Sequence, residues 1–303
     1  MHVFLRTCFF LVAVHSVFLF APPHTPASSP DGSASLLDTY RAVEAKLIQN
    51  HFGIPLHLES SEGKGLLHVE VYSVIDHPFE AVQSALEAPA NWCDIVPLHT
   101  SIGICTYAKA DGASLLTFYG GKKAVSRPEE AYQLRYRYRV RAARPGHFAA
   151  LLAADEGPLN TRDHRLEIEA APLQEGKTFV RFSCSYRYGR LAQVAMKGYF
   201  ATVGRHKIGF SAAGADRQGN PVYVNGMKGA IERNAMRSYL AILAYMDTLR
   251  FSAEQRLDQR LNRWYDLSER YREQLHEVER GEYITNKKKG YKAQSALQGG
   301  LPH

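Results

Sequence analysis

Two side chains in this 303-residue chain could transfer protons. Glu232 flanks the apolar stripe of a long predicted helix, and His164 lies on the apolar face of a predicted strand. A carboxylate and an imidazole that meet in a cavity can act as general base and general acid. More often, however, a Glu beside a stripe is solvated and a single inward His is a hydrogen-bonded core residue. Because spacing supplies no geometry, we expect binding rather than catalysis.

Motifs of other chemistries are absent from the sequence. It contains no GxSxG, HExxH, GxxxxGK[ST] or GxGxxG pattern, which would indicate a nucleophile elbow, a zinc protease or a phosphate-binding loop. It also has no CxxC pair or His-rich cluster of the kind that binds zinc. We therefore expect neither a metal nor a cofactor.

The N-terminal segment 1–27 has the features of a secretory signal. Arg6 precedes an apolar run at 8–20, which is shorter than the roughly 20 residues of a comfortable membrane span. Thr25 and Ala27 are small residues suited to a cleavage site after position 27. The prediction is an exported, periplasmic protein, and the alternative is membrane anchoring by an uncleaved segment.

Three cysteines lie beyond this signal. An oxidising compartment would permit one disulfide, and Cys93 with Cys105 is the nearest pair in sequence, although spacing alone leaves the bond open. Cys184 belongs to an alternating strand, where a small buried hydrophobe is the better interpretation.

The overall charge favours anionic surroundings. The formal net charge is +7 and the isoelectric point is near 9.1. Such a balance suits a membrane surface but identifies no partner, and we expect no nucleic acid. The lysine-rich segment 282–303 is predicted to be a flexible basic tail that anionic lipid could attract.

The longest predicted element is a helix at 224–250. Its main apolar stripe has spacings of three and four residues, and neither Pro nor Gly interrupts it after Gly229. Leu240 and Ala244 lie opposite that stripe and also need cover. This pattern indicates a helix that is sandwiched between two layers.

Alternating patterns before this helix predict an antiparallel meander. We expect strands at 102–109, 114–120, 131–141, 148–153, 163–170 and 178–188, preceded by two strands at 54–60 and 65–75. The strand 131–141 has one aromatic and one arginine-rich face. Carboxylates of 163–170 could neutralise much of the basic face across the sheet.

The chain divides into five predicted regions. After the signal come a linker at 28–35 and a main domain at 36–251, which begins with an amphipathic helix at 36–50. An added helix at 252–281 follows, and then the basic tail. Strands followed by a long helix are typical of an α+β layer architecture.

This order resembles the START-like superfamily, also called the polyketide cyclase and lipid transport (SRPBCC) superfamily. LLHVEVYSVIDHPFEAVQSAL resembles that family's strand entering its first helix, and NWCDIVP occupies the position of its usual Trp-containing turn. The helix from Val224 resembles its closing helix. The resemblance covers about 54–250 and implies a helix-grip fold, in which a curved antiparallel sheet wraps around a long C-terminal helix.

Such folds enclose a cavity for lipids or other hydrophobic molecules, so the resemblance implies a hydrophobic ligand. A solid core is an equally good interpretation of the same pattern. A cyclase- or hydrolase-like enzyme and an envelope interaction module with a filled core stay open as alternatives. The candidate ligand contacts face one another from the strands and the helix: Tyr132, Tyr136, Tyr138, Phe182, Tyr186, Met227, Ile231, Tyr239 and Met246.

Overall fold

The computed structural model describes residues 32–110, 112–121 and 128–301. The predicted signal at 1–27 lies outside the described residues, as do the first residues of the predicted linker. From Gly32 onward the chain forms one unit.

Eight antiparallel strands form the main sheet, in the spatial order β1-β2-β8-β7-β6-β5-β4-β3. A separate hairpin, β9 with β10, follows later in the chain. The strands are β1 (Leu56–Gly63), β2 (Leu66–Ile75), β3 (Ile102–Ala110), β4 (Ala113–Gly120), β5 (Tyr132–Arg144), β6 (His147–Glu156), β7 (Arg162–Pro172), β8 (Thr178–Arg187), β9 (Ala212–Ala215) and β10 (Pro221–Tyr223).

Helices cover both faces and one edge of this sheet. They are α1 (Gly32–Ile48), α2 (Phe79–Glu87), α3 (Pro89–Ile95), α4 (Arg190–Ala201), α5 (Gly226–Asp247), α6 (Ala253–Glu269), α7 (Arg272–Leu275) and α8 (Arg280–Gln298). The curved sheet with α5 on its inner face confirms the predicted α+β helix-grip fold.

Helix α5 is sandwiched as its sequence predicts. It packs on β2 on one side and on α6 on the other. Leu240 and Ala244 are fully buried, and Trp264 of α6 donates its indole N–H to the carbonyl of Arg237 at 3.1 Å. The apolar residues all round this helix are therefore explained by two covering layers.

A close chain crossing fixes the beginning of α5. The segment before β9 passes over the helix at Gly209, where an added Cβ would lie 2.9 Å from the Cα of Gly229 and 2.5 Å from the Glu232 carboxylate. Only glycine at this point leaves room for the crossing.

The outer face of the sheet carries α1 and a set of arginines. The apolar side of α1 packs over β2, β7 and β8 through Leu36, Val43 and Leu47. Elsewhere on the sheet, Arg137 pairs with Asp155 at 2.6 Å and Arg181 with Glu169 at 3.1 Å. Part of the basic face is thus neutralised by neighbouring strands, as the charge pattern predicts.

The C-terminal region differs from the sequence prediction. The predicted single helix at 252–281 is divided into α6 and α7, and the predicted flexible tail forms α8 as far as Gln298. Polar side chains hold α8 against β3: Gln294 accepts from the N–H of Cys105 at 2.8 Å, and Gln298 accepts from that of Tyr107 at 2.9 Å. The predicted linker also differs, because α1 begins inside it at Gly32.

Within the described ranges, no helix is long and apolar enough to span a membrane.

Candidate ligand-binding cavity

A cavity of about 630 Å³ lies between the inner face of the sheet and α5. Its walls come from β4, β5, β7 and β8, from α3 and the turn after it, and from α4 and α5. This volume falls within the range of small-molecule sites, roughly 300–1,000 Å³. The space between the sheet and α5 is thus a cavity, whereas the sequence pattern was equally compatible with a solid core.

Aromatic side chains form the sheet wall of the cavity. Alternation along β5 directs Tyr136 inward, where its ring lies 4.8 Å from that of Phe118 on β4. On the other side, Tyr186 of β8 stacks on His164 of β7 with ring centroids 5.2 Å apart. This wall presents flat apolar surfaces with hydroxyl groups at their edges.

The helix wall is formed by one stripe of α5. Met227, Asn234, Ser238, Ala241 and Ile242 line the cavity at spacings of one, three, four and seven residues. Asn234 is exposed although it lies near the middle of the helix, between the buried residues Arg233 and Ala235. The cavity next to Asn234 explains why this polar side chain is exposed in the middle of the helix.

The third wall is held by a covalent bond and by α8. A disulfide joins Cys93 of α3 to Cys105 of β3, with Cα atoms 4.8 Å apart. Lys287 of α8 donates to the carbonyls of His99 at 2.6 Å and Ile102 at 2.7 Å. Both contacts fix the turn that contributes Val96, His99, Ser101 and Ile102 to the cavity.

Helix α4 covers one end of the cavity. Ala192 and Met196 face inward, whereas Leu191 and Val194 point away from the protein and are 65% and 69% exposed. Leu159, which also lines the cavity, is 50% exposed. This end therefore combines an apolar interior with apolar side chains on the outer surface.

His99 provides a buried polar group whose protonation is set by its partners. Its Nδ1 accepts a hydrogen bond from the backbone N–H of Ser101 at 3.0 Å, and the ring also bonds to the side chain of Asn234. Burial lowers the pKa of His99 to about 3, with the nearby cations Arg237 and Lys287 acting in the same direction. The imidazole is therefore neutral at pH 7.

His164 is held in a similar neutral state. Its Nε2 lies 2.8 Å from the hydroxyl of Thr161, which donates its own proton to the carbonyl of Pro158. His164 Nε2 must then be the donor in this pair. Burial lowers the pKa of His164 to about 4.

Other titratable groups in the cavity are also uncharged. Burial raises the pKa of the Cys184 thiol to about 12 and raises the pKa of the Tyr136 and Tyr186 hydroxyls above their usual range. Among the described lining residues, none is Asp, Glu, Lys or Arg. The described walls thus offer hydrogen bonds without formal charge.

The structure brings part of the predicted contact set together. The residues that line the cavity are Tyr132, Tyr136, Phe182, Tyr186 and Met227. Their contact with a ligand remains a prediction.

Four predicted contacts lie elsewhere. Tyr138 donates to the carbonyls of Leu86 and Glu87 beneath α2, and Tyr239 bonds to Ser73 of β2 at 2.5 Å. Ile231 is buried in the main core, and Met246 lies beside a separate surface depression next to Asp247. The stripe of α5 that lines the cavity is therefore not the predicted stripe. Because α5 is apolar on several sides, periodicity could not identify the side that faces the cavity.

The two catalytic candidates do not meet. Glu232 is fully buried away from the cavity lining, where it accepts from the backbone N–H groups of Phe210 at 2.6 Å and Ser211 at 2.9 Å and from the Ser60 hydroxyl. It holds the chain crossing over α5. His164 lines the cavity without Glu232, so the predicted proton-transfer pair is not formed.

Sequence reasoning missed the polar cavity residues His99, Asn234 and Ser238. The available signal was the pair Asn234 and Ser238, four positions apart on a stripe continued by Ala241 and Ile242. Two polar residues on an otherwise apolar helix stripe indicate either internal hydrogen bonding or a cavity.

No protein-family model and no curated protein matches the sequence. Many solved structures show partial similarity, and three of them illustrate its extent. Human StAR-related lipid transfer protein 5 is 12% identical, with 56% of this chain and 90% of that chain covered and a TM-score of 0.30. The Zhui aromatase/cyclase from Streptomyces sp. R1128 is 14% identical, with 68% and 94% covered and a TM-score of 0.33. A conserved protein of unknown function from Enterococcus faecalis is 9% identical, with 69% and 91% covered and a TM-score of 0.34.

At these identities and TM-scores, the matches carry no argument about function. The chain has a helix-grip fold, and this assignment rests on the strand order and on the position of α5 against the sheet.

Proposed function

We propose that this protein binds a hydrophobic small molecule or lipid in the cavity between the sheet and α5. The observation that carries the proposal is the hollow of about 630 Å³, which leaves Asn234 accessible in the middle of α5. Apolar and aromatic walls with a few polar groups are the usual composition of a small-molecule site. Binding buries the apolar ligand surface and thereby supplies the driving force.

Extraction of gently purified protein with organic solvent, followed by mass spectrometry, tests this proposal. We expect a reproducible hydrophobic compound from the wild type and its loss from Ala241→Phe, which places a ring in the cavity. Ala212→Phe, on an exposed strand, is the matched control and should retain the compound. Empty extracts from wild type and control, together with no uptake of added hydrophobic probes, would contradict the proposal.

We propose a carrier or sequestering protein rather than an enzyme. The only catalytic pair suggested by the sequence is Glu232 with His164, and Glu232 is engaged in three hydrogen bonds outside the cavity lining. If a ligand is identified, incubation with the protein should return it chemically unchanged.

We also propose that the protein is exported. The apolar N-terminal pattern supports this, and so does the Cys93–Cys105 disulfide, because disulfides persist in oxidising compartments. The intact mass of the secreted or periplasmic protein should correspond to a chain that begins after Ala27. A full-length mass in the membrane fraction would favour the uncleaved anchor.

Contact with an anionic membrane surface is a further part of the proposal, and we place it at α4 instead of the C-terminal segment. Residues 187–207 contain five Arg or Lys residues and no Asp or Glu, and they surround the exposed Leu191 and Val194. Two of the five, Arg187 and Lys207, pair with Asp163 and Glu277 at 3.3 Å. Apolar side chains within a basic rim suit the interface of an anionic bilayer. Helix α8 is less suited, because Lys287 is buried and Lys288 pairs with Asp258 at 2.8 Å.

Flotation with vesicles of phosphatidylglycerol or phosphatidylcholine tests this contact. Wild type should float with the anionic vesicles, and Leu191→Asn with Val194→Asn should reduce the floated fraction several-fold. Val222→Asn replaces an exposed apolar residue on β10 and should have little effect. Equal flotation of all three proteins would assign the contact to another surface.

A further inference from the structure

One side of the cavity carries a polar cluster formed by His99, Ser101, Asn234 and Ser238. Asn234 and Ser238 are one helical turn apart on α5, and His99 with Ser101 belongs to the turn after α3. All four line the cavity. They are therefore placed to recognise one polar group of a bound molecule.

The hydrogen-bond partners of His99 decide which atoms of Asn234 remain available. Because His99 Nδ1 accepts from the N–H of Ser101, the proton of the neutral ring lies on Nε2. This N–H is the donor for the bond with Asn234, whose Oδ1 must accept it. The Asn234 NH₂ group is then left to donate into the cavity. The hydroxyl of Ser238 can donate beside it.

The cations nearest to this cluster already have partners. Arg237 bonds to Glu277 at 3.0 Å and to the carbonyl of Leu275, and Lys287 bonds to the carbonyls of His99 and Ile102. Neither Arg237 nor Lys287 lines the cavity. Burial is the first cause of the low pKa of His99, so the cluster lies where a charge of either sign is poorly solvated. A ligand anion would thus lose its hydration without gaining a counter-charge from the described walls.

Building on the proposed function, we propose that the natural ligand is an uncharged hydrophobic molecule with a carbonyl or hydroxyl oxygen. Asn234 and Ser238 donate hydrogen bonds to that oxygen, while the aromatic sheet wall holds the hydrophobic body. A molecule that ends in a carboxylate or phosphate is selected against, because the cluster supplies neutral donors only.

Retinol and retinoate are matched probes for this inference, because they share a hydrophobic body and differ in the charge of the head. Binding is followed by energy transfer from tryptophan, since Trp92 lines the cavity. At pH 7.5 we expect retinol to bind at least tenfold more tightly than retinoate. Asn234→Leu should weaken retinol binding about three- to tenfold, as expected for one lost hydrogen bond, and should leave retinoate almost unchanged.

Two further variants complete the test. Ser238→Ala should weaken retinol binding by a smaller factor, and it removes only one hydroxyl from an accessible position, so its folding is not at issue. Asn262→Leu, on α6 outside the cavity lining, is the control and should bind both probes like the wild type.

The outcomes separate the inference from the proposed function. Retinoate binding as tight as retinol binding, or full retinol affinity in both Asn234→Leu and Ser238→Ala, would overturn the neutral-ligand inference while leaving a hydrophobic site in place. Binding of neither probe, with no compound in the solvent extract, would overturn the proposed function and the inference together.

Discussion

Polar side chains on the two sides of α5 have opposite surroundings. Glu232 is fully buried, and three donors from other parts of the chain satisfy its carboxylate. Asn234, two positions later, faces an open cavity and bonds to His99 with only part of its amide. The first side chain holds the fold together, whereas the second retains hydrogen-bonding capacity for a ligand.

This contrast shows how a structural polar residue differs from a recognition residue. A buried charge is tolerated when internal donors replace its water, and removal of the charge then leaves those donors without partners. A polar group that faces a cavity is already accessible, so its removal leaves a smaller deficit: without Asn234, only the His99 N–H loses its acceptor. Stability and affinity measurements should therefore separate the two sides.

The largest loss of stability is expected from Glu232→Ala. The substitution leaves the N–H groups of Phe210 and Ser211 and the hydroxyl of Ser60 without their acceptor. We expect the free energy of unfolding, measured with urea, to fall by about 3–5 kcal/mol. Glu273→Ala changes an exposed Glu on α7 and should shift it by less than about 0.5 kcal/mol. A similarly small change in the free energy of unfolding for Glu232→Ala would contradict the structural role that we assign to Glu232.

The next largest effect should come from lowering the pH. The folded pKa values of His99 and His164 are about 3 and about 4, both below the usual value of 6.5. The unfolded chain therefore binds more protons at these two histidines below pH 6.5, so their contribution to stability is constant above that pH and falls as the pH decreases.

Between pH 7 and pH 5 we expect the two histidines to lower the free energy of unfolding by about 2–4 kcal/mol in total. Urea unfolding of a His99→Asn, His164→Asn double variant should show a much flatter dependence over this range. The carboxylate of Glu70, whose pKa is lowered to about 2, contributes only at lower pH. If the free energy of unfolding of the double variant falls with pH as steeply as that of the wild type, groups other than these histidines cause the acid sensitivity.

A smaller loss should follow from Tyr239→Phe on the packed side. Ser73 donates to the carbonyl of Pro55 at 2.7 Å, so the Tyr239 hydroxyl is the donor to Ser73. Removing one buried hydrogen bond should reduce the free energy of unfolding by about 1 kcal/mol without changing retinol affinity. A loss of affinity instead would mean that the packed side of α5 also contacts ligand.

The smallest change in stability is expected for Ser238→Ala. Because Ser238 faces the cavity and the substitution removes only one hydroxyl, the free energy of unfolding should change by less than about 0.5 kcal/mol. Thermal and urea unfolding of this variant, set beside its weakened retinol binding, complete the contrast with Glu232→Ala. A large loss of stability here would show that Ser238 supports the fold instead of a ligand.

Most of the fold could be predicted from sequence periodicity. The predicted strand at 178–188 and β8 differ by one residue, and the predicted helix at 224–250 contains α5. In a strand, alternate side chains face opposite sides, so one buried face leaves a clear pattern. The same rule correctly directed Tyr136 and Phe182 into the cavity.

The helix wall could not be predicted in the same way. Helix α5 is covered by the sheet, by α6 and by the cavity, and these surroundings all accept apolar residues. The stripe through Ile231 and Tyr239 is the better packed one, which is why it was mistaken for the cavity wall. A cavity is formed by several elements together, so the sequence of a single element contains no periodic pattern that reveals it.

Helix α8 was missed for a different reason. Its buried stripe contains Tyr283, Lys287, Gly290 and Gln294, so it lacks the apolar spacing on which helix prediction depends. Its partners are backbone groups of β3 and of the turn before it, which polar side chains can satisfy. Lysines that suggest a solvated tail can therefore belong to a packed helix.

The glutamines of α8 also have a consequence for association between molecules. Strand β3 is at one edge of the sheet, and an edge strand can pair with a strand of another chain. Gln294 and Gln298 bond to the N–H groups of Cys105 and Tyr107, and Gln298 donates in return to the carbonyl of Tyr107 at 2.8 Å. The last helix thus occupies groups through which the sheet could otherwise grow at the β3 edge, and it should hinder strand addition there.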